Sequence, residues 1–196
     1  VCDHPDHIIG QAGSDFLKPV EANCEKGESL YDYFQKSGYT IVKGGATKKQ
    51  LKRAEKLILM QSDSANRFDN SAIPYAIDRK EGDLTLSNIV ETAISFLQKK
   101  RKDGFFLMVE GGKIDWACHA NDGAAMIHET LDLDDAVKVA YEFYKQHPDE
   151  TLIIVTADHE TGGMALGRGA YELHLDVLQH QKMSAWMYTK HISQLH

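Results

Sequence analysis

The amino-acid sequence predicts an α/β fold, with a mostly parallel central sheet and helices on both of its faces. Three observations predict it. Strand-like and helix-like segments alternate along the 196 residues. Two apolar runs, Phe105-Phe106-Leu107-Met108-Val109 and Leu152-Ile153-Ile154-Val155, are unbroken, as in strands covered on both faces. Between those runs lies a long stretch of helical periodicity.

Each element has a local reason. His7-Ile8-Ile9-Gly10 is a short apolar run closed by glycine. Ser29 to Lys36 reads as a helix with Leu30, Tyr33 and Phe34 on one face. Tyr39 to Val42 is a β-branched run, closed by Gly44-Gly45. Thr47 opens a basic amphipathic helix expected to run to Leu57 or beyond. Gln61 to Gly82 is polar, contains Pro74 and reads mostly as loop. Leu84 to Gln98 is a helix: Leu86, Ile89, Val90, Ala93 and Leu97 recur at helical spacing, and Thr85 is placed to cap it. Thr130 to Tyr144 is a further helix, stopped at His147-Pro148. No repeat, low-complexity stretch or linker divides the chain, so residues 1–196 read as one partial domain.

Composition limits the function classes. Apolar residues make up 42% and charged residues 26%, which places the chain among globular proteins rather than disordered or fibrous ones. The formal net charge of −7 argues against nucleic acid as a partner, because phosphate backbones need a positive field. Phosphate substrates remain open, since bound metal ions can supply positive charge locally. No apolar run is long enough to span a membrane, and no signal-peptide pattern is present. Of the three cysteines, Cys2 and Cys24 could close a loop in an exported protein, with free thiols the equal alternative.

The polar residues that carry chemistry cluster at the ends of the two apolar runs. Glu110 ends the first, and Asp115 and His119 follow it. Asp158 and His159 follow the second. Parallel sheets build their sites outside the carboxyl ends of strands, so these groups are expected to converge. Asp115 and His119 are spaced i, i+4. A helix opening after Gly112 would put them on one face, where a carboxylate and an imidazole can grip one cation. Mixed nitrogen and oxygen donors suit zinc, while Glu110, a hard oxygen donor, suits magnesium. Any one of these residues alone reads as a capping or solvated side chain. Five at two strand ends point to a metal site.

Longer motifs carry a resemblance. Gly104-Phe105-Phe106-Leu107-Met108-Val109-Glu110-Gly111-Gly112-Lys113-Ile114-Asp115, followed by His119-Ala120-Asn121-Asp122, resembles the metal-binding segment of alkaline phosphatases. Glu129-Thr130, Asp134-Asp135-Ala136-Val137 and Thr156-Ala157-Asp158-His159-Glu160-Thr161-Gly162-Gly163 continue it, as does Pro74-Tyr75-Ala76-Ile77-Asp78-Arg79 upstream. The resemblance implies an alkaline phosphatase-like fold and hydrolysis of phosphate monoesters through a phosphoseryl intermediate at a two-metal site. It implies Glu110 as a Mg2+ ligand, Asp115 and His119 as ligands of one Zn2+, and Asp158 and His159 as ligands of a second. Trp116 falls in the phosphate environment, with an ordinary packed tryptophan the equal alternative.

The chain departs from the family pattern in three places. Asp63-Ser64-Ala65 has the letters of the nucleophile motif, but Asn66-Arg67-Phe68-Asp69 follows instead of small residues, and it lies too close to Glu110 in sequence. Ser64 is therefore read as a chance match, leaving no nucleophile. The third histidine of the first zinc has only His174, His180, His191 and His196 as candidates, none in the expected glycine- or threonine-bearing context. The upstream aspartate that bridges zinc and magnesium has no match. These gaps predict incomplete first shells at both zinc sites and a chain inactive alone. The alternatives are a related phosphodiesterase, sulfatase or mutase of the same superfamily, or a non-catalytic metal-binding domain. The resemblance further implies a phosphate monoester substrate, a homodimer, and a periplasmic or secreted location.

Overall fold

The computed structural model describes residues 29–65, 73–100, 103–161, 172 and 174–195. The fold is α/β, rich in helix, with a small parallel sheet among the described residues. Two compact units are described. Among the described residues, the first holds 29–65, 73–74, 80–84, 92–100 and 103–107, and the second holds 75–79, 85–91, 108–161, 172 and 174–195. His7 to Gly10, Cys2 and Cys24 lie outside the described residues.

In the first unit, helix α1 (Leu30–Lys36) starts at Ser29, whose hydroxyl accepts the Asp32 N–H. Strand β1 (Tyr39–Lys43) follows, then helix α2 (Lys48–Arg53) and strand β2 (Lys56–Met60). Thr47 and Gln50 form a reciprocal capping box at the start of α2. The expected continuation of α2 to Leu57 and beyond is not found: the helix ends at Arg53, and residues 56–60 pair with β1. Lys56-Leu57-Ile58-Leu59-Met60 is apolar after its first residue and has no polar stripe to give a helix, so both faces can be buried in a sheet.

The strands are parallel, with Ile41 opposite Ile58 and Lys43 opposite Met60. Tyr39, Ile58 and Met60 pack with Leu30 and Phe34 of α1. Leu57, Leu59 and Val42 alternate onto the other face and are also buried. Gly44 takes φ +75° as the chain leaves β1, and its N–H bonds to the Met60 carbonyl at 2.8 Å. Gln61, buried beyond the end of β2, exchanges two amide hydrogen bonds with the Leu84 backbone at 2.5 and 2.9 Å.

Helix α3 (Leu86–Lys100) begins as expected at Thr85, which accepts the Asn88 N–H at 3.1 Å. Its buried residues include Leu86, Ile89, Val90, Ala93, Phe96 and Leu97, the face the periodicity marks.

The second unit is helical. A 3-10 turn at Ala76–Asp78 precedes helices α4 (Gly112–His119), α5 (Gly123–Gln146) and α6 (Ala185–Ser193). Helix α5 starts well before the expected Thr130, because Asp122 caps it through the Ala125 N–H. Tyr75, Ala117 and Ala125 form the centre of its core, with Ile77, Met126 and Trp186 packed around them.

The two apolar runs correct the expectation of buried strands. Among the described residues, neither 105–109 nor 152–155 joins a ladder. Phe106 is 88% exposed and Leu152 84%. Strand composition favours a pleated, covered environment, but a strand exists only where a neighbour supplies the other half of its hydrogen bonds. The described sheet is β1 with β2 alone.

Candidate metal centre

Helix α4 is built to carry Asp115 and His119. Gly111 precedes it where a Cβ would meet Ile114 Cδ1 at 2.9 Å and Leu133 Cδ2 at 3.2 Å, so a side chain there would make the Ile114 and Leu133 side chains shift. Glu110 folds its carboxyl over Gly112, 3.3 Å from where a Cβ would stand. The helix closes with a two-bond cap: the Asp122 N–H reaches the Ala117 carbonyl and the Asn121 N–H reaches the Cys118 carbonyl, both at 2.9 Å. Asn121 supplies the left-handed residue, at φ 52°. His119-Ala120-Asn121-Asp122 is thus a helix end, a left-handed stop and the next helix cap in succession.

The i, i+4 spacing acts as expected. His119 Nε2 lies 3.4 Å from Asp115 Oδ1. The structure also brings the second pair to the same carboxylate. His159 Nε2 is 3.9 Å from Asp115 Oδ1 and 3.6 Å from Asp158 Oδ2. Asp158 Oδ1 accepts the His159 N–H at 3.0 Å. The approaches are pairwise: among the described residues no three His, Cys, Asp or Glu side chains gather tightly enough to hold one ion. His174, His180 and His191 are described, exposed, and complete no such triad, and His196 lies outside the described residues.

Electrostatics act differently on the His159 imidazole and the Cys118 thiol, and for His159 a metal ion would compete with the favoured proton. The Glu160 carbonyl, and next the charge of Asp158, hold the His159 imidazole above its ordinary value of 6.5. Burial, helped by Asp115, pushes the Cys118 thiol up and so disfavours a thiolate beside the cluster. Two donors on one tetrahedral zinc, each about 2.0–2.2 Å from it, stand roughly 3.3–3.5 Å apart. The Asp115–His119 separation of 3.4 Å meets that spacing, and the Asp158–His159 separation of 3.6 Å is slightly wider. The side chains are half-exposed to exposed, open to an ion from solution.

Trp116 is 47% exposed, and its ring faces the Lys113 ammonium at 4.2 Å. Lys113 is itself buried, with Tyr75 at 4.2 Å on another side. Ser64 exchanges a hydrogen bond with Ser62 at 2.8 Å, and Asp63 pairs with Lys43 at 2.7 Å, so both side chains are engaged locally.

Sequence reasoning missed the residues that hold this helical unit in place. Asp122 is buried and accepts from Ala125 N, Gln181 Nε2 and Ala185 N. Asp78 accepts the Ser184 N–H at 2.8 Å. Glu129, buried on α5, accepts the Ala76 N–H at 2.5 Å. Arg79 and Asp132 form a two-bond ion pair at 2.6 and 2.5 Å with both side chains nearly buried. It also missed Thr161, whose hydroxyl touches both Asp115 and His159. The available signal was an acidic or hydroxyl residue standing within a long motif without a ligand role.

Comparison with known proteins gives the family. The alkaline phosphatase family model matches residues 7–194. The chain is 39% identical over 162 residues to alkaline phosphatase 3 of Bacillus subtilis, covering 83% of this chain and 31% of that protein. Its fold superposes on the cold-active alkaline phosphatase of a psychrophilic Shewanella with a TM-score of 0.70 at 29% identity, covering 94% of this chain and 41% of the other. A variant of the TAB5 alkaline phosphatase, solved with Mg in its M3 site, matches with a TM-score of 0.56 at 25% identity, over 70% of this chain and 36% of that one. The chain belongs to the alkaline phosphatase family. It spans 31% and 35% of the length of two of the curated relatives it matches, and 19% of a third, the repressible alkaline phosphatase of Saccharomyces cerevisiae. Among the described residues no helix is long and apolar enough to cross a membrane.

Proposed function

We propose that this chain is the metal-binding part of a phosphomonoester hydrolase. In this reading residues 1–196 form part of one alkaline phosphatase-like domain. Asp115 and His119 hold one zinc ion, Asp158 and His159 hold a second, and Glu110 serves magnesium. The observation that carries it is the meeting of both pairs at one carboxylate oxygen, 3.4 Å from His119 Nε2 and 3.9 Å from His159 Nε2.

When bound, the ions supply Lewis-acid polarisation of phosphoryl oxygens. The chain's own residues position that chemistry. Helix α4 sets Asp115 and His119 one turn apart, and the turn at 158–161 aims His159 at the same carboxylate. Trp116 flanks the phosphate beside the Lys113 ammonium. No residue here is assigned as nucleophile, and each zinc has a partial first shell, so the chain alone binds metal weakly and turns nothing over. The family context extends the reading to a homodimer outside the cytoplasm acting on phosphate monoesters.

The test measures zinc and magnesium content, and p-nitrophenyl phosphate hydrolysis at alkaline pH, for this chain and for Asp158→Ala. Weak zinc binding that falls in the variant, without turnover, supports the reading. Zinc-dependent turnover abolished in the variant would place a nucleophile in the chain, with Ser64 the first candidate. Absence of metal binding in both would overturn the metal assignment.

A further inference from the structure

One hydroxyl joins the two ligand pairs. Thr161 Oγ1 lies 2.9 Å from Asp115 Oδ1 and 3.1 Å from His159 Nδ1, across 46 residues of sequence in the first case. Asp115 belongs to α4 and His159 to the turn after 152–155.

The hydrogens on this path have one consistent arrangement. His159 Nδ1 is 2.9 Å from the Glu160 carbonyl oxygen. A carbonyl oxygen only accepts, so Nδ1 carries the proton. That N–H is shared between the Glu160 carbonyl and Thr161 Oγ1. The threonine hydroxyl, accepting there, turns its own proton to Asp115 Oδ1. A directed chain results, from His159 Nδ1–H to Thr161 O–H to the Asp115 carboxylate. It leaves His159 Nε2 with its lone pair, facing Asp115 and Asp158. An imidazole ready to ligate needs that tautomer, and the partner of its other nitrogen selects it.

We propose that Thr161 is the positioning residue of the metal centre, orienting Asp115 and His159 together so that the two zinc sites are set by one hydroxyl. The inference rests on the zinc assignment made above. Thr161 touches no ion. It holds an oxygen ligand of one site and a nitrogen ligand of the other in register.

Zinc affinity of the chain is measured by chelator competition for wild type, Thr161→Val and Thr161→Ser, with circular dichroism and a urea midpoint as controls of folding. Valine keeps the branched shape and loses the hydroxyl. Serine keeps the hydroxyl. Removing an outer partner of a metal ligand typically costs about 10–100-fold in affinity, so Thr161→Val is expected to bind zinc at least about tenfold more weakly. Thr161→Ser is expected to stay within about threefold of wild type, which a role in packing alone would not produce. Equal affinity of Thr161→Val and wild type overturns the inference and leaves the zinc assignment standing. Equal weakness of Thr161→Ser and Thr161→Val also overturns it, since the methyl group would then be what matters. A wild-type chain that binds no zinc removes the assignment, and the inference falls with it. If Thr161→Val does not fold, Thr161→Ala replaces it with the same expectations.

Discussion

Replacing Asp122 by asparagine changes one oxygen into an NH2 group and almost nothing in volume, yet three donors depend on that carboxylate. Oδ1 accepts from Ala125 N at 3.1 Å and from Gln181 Nε2 at 2.7 Å, while Oδ2 accepts from Ala185 N at 2.5 Å. The residue is 6% exposed, so water cannot substitute freely. An asparagine best turns its one oxygen to the two donors at the Oδ1 position. Its NH2 then faces the Ala185 N–H, donor against donor, at the first residue of α6. An orphaned buried donor costs about 1–3 kcal/mol, and each surviving bond loses roughly 1 kcal/mol when its acceptor is no longer charged. Burying a neutral amide instead of a carboxylate offsets part of this. The net loss expected for Asp122→Asn is about 2–3 kcal/mol, a large share of the ~5–15 kcal/mol typical of a domain. Asp122→Ala, which removes every acceptor and the α5 cap, should cost more, about 3–5 kcal/mol. Urea unfolding followed by circular dichroism reads both, as a lower midpoint at unchanged slope. A loss below about 0.5 kcal/mol for Asp122→Asn would refute the argument that these three donors need an anionic acceptor.

Other perturbations follow from the same unit. Asp132→Ala leaves the nearly buried Arg79 guanidinium uncompensated and should cost about 3–5 kcal/mol, whereas Arg79→Met with Asp132→Leu should be close to neutral; urea midpoints that rank the other way would sink this. Burial, opposed by the Ala76 N–H, raises the Glu129 carboxyl above its ordinary value of 4.5. The folded state therefore binds that proton more tightly than the unfolded state, and the group's contribution is greatest at low pH and is lost as pH rises through the raised value. Glu129→Gln keeps an acceptor for Ala76 and cannot ionise, so its melting temperature relative to wild type should climb as pH rises from about 4.5, and parallel profiles would contradict the burial argument. Lys113→Met removes the ammonium between the Tyr75 and Trp116 rings, and in a Trp186→Phe background acrylamide should quench Trp116 more strongly. Unchanged quenching would mean that the cation does not hold the indole.

Much of this protein is legible from sequence because its determinants are local. Ser29, Thr47 and Thr85 cap the helices they precede, since an N-cap needs only a hydroxyl within reach of N–H groups two or three residues on. Asp115 and His119 meet because helical geometry places i and i+4 on one face. The family could be recognised for the related reason that long motifs preserve several such local relations at once.

The tertiary structure decided what depends on distant partners. Residues 56–60 have no polar stripe, so their sequence could not choose between helix continuation and strand until β1 offered a ladder. Runs 105–109 and 152–155 have strand composition, but among the described residues no neighbour completes them. Thr161 looks like any loop threonine until the fold sets it against Asp115, 46 positions earlier. Asp122 looks like a helix cap until Gln181 and Ala185 arrive from the far end of the chain. Capping and helical spacing act over a few residues and are written into their order, whereas ladders, buried acceptors and shared hydroxyls are properties of pairs that only folding brings together.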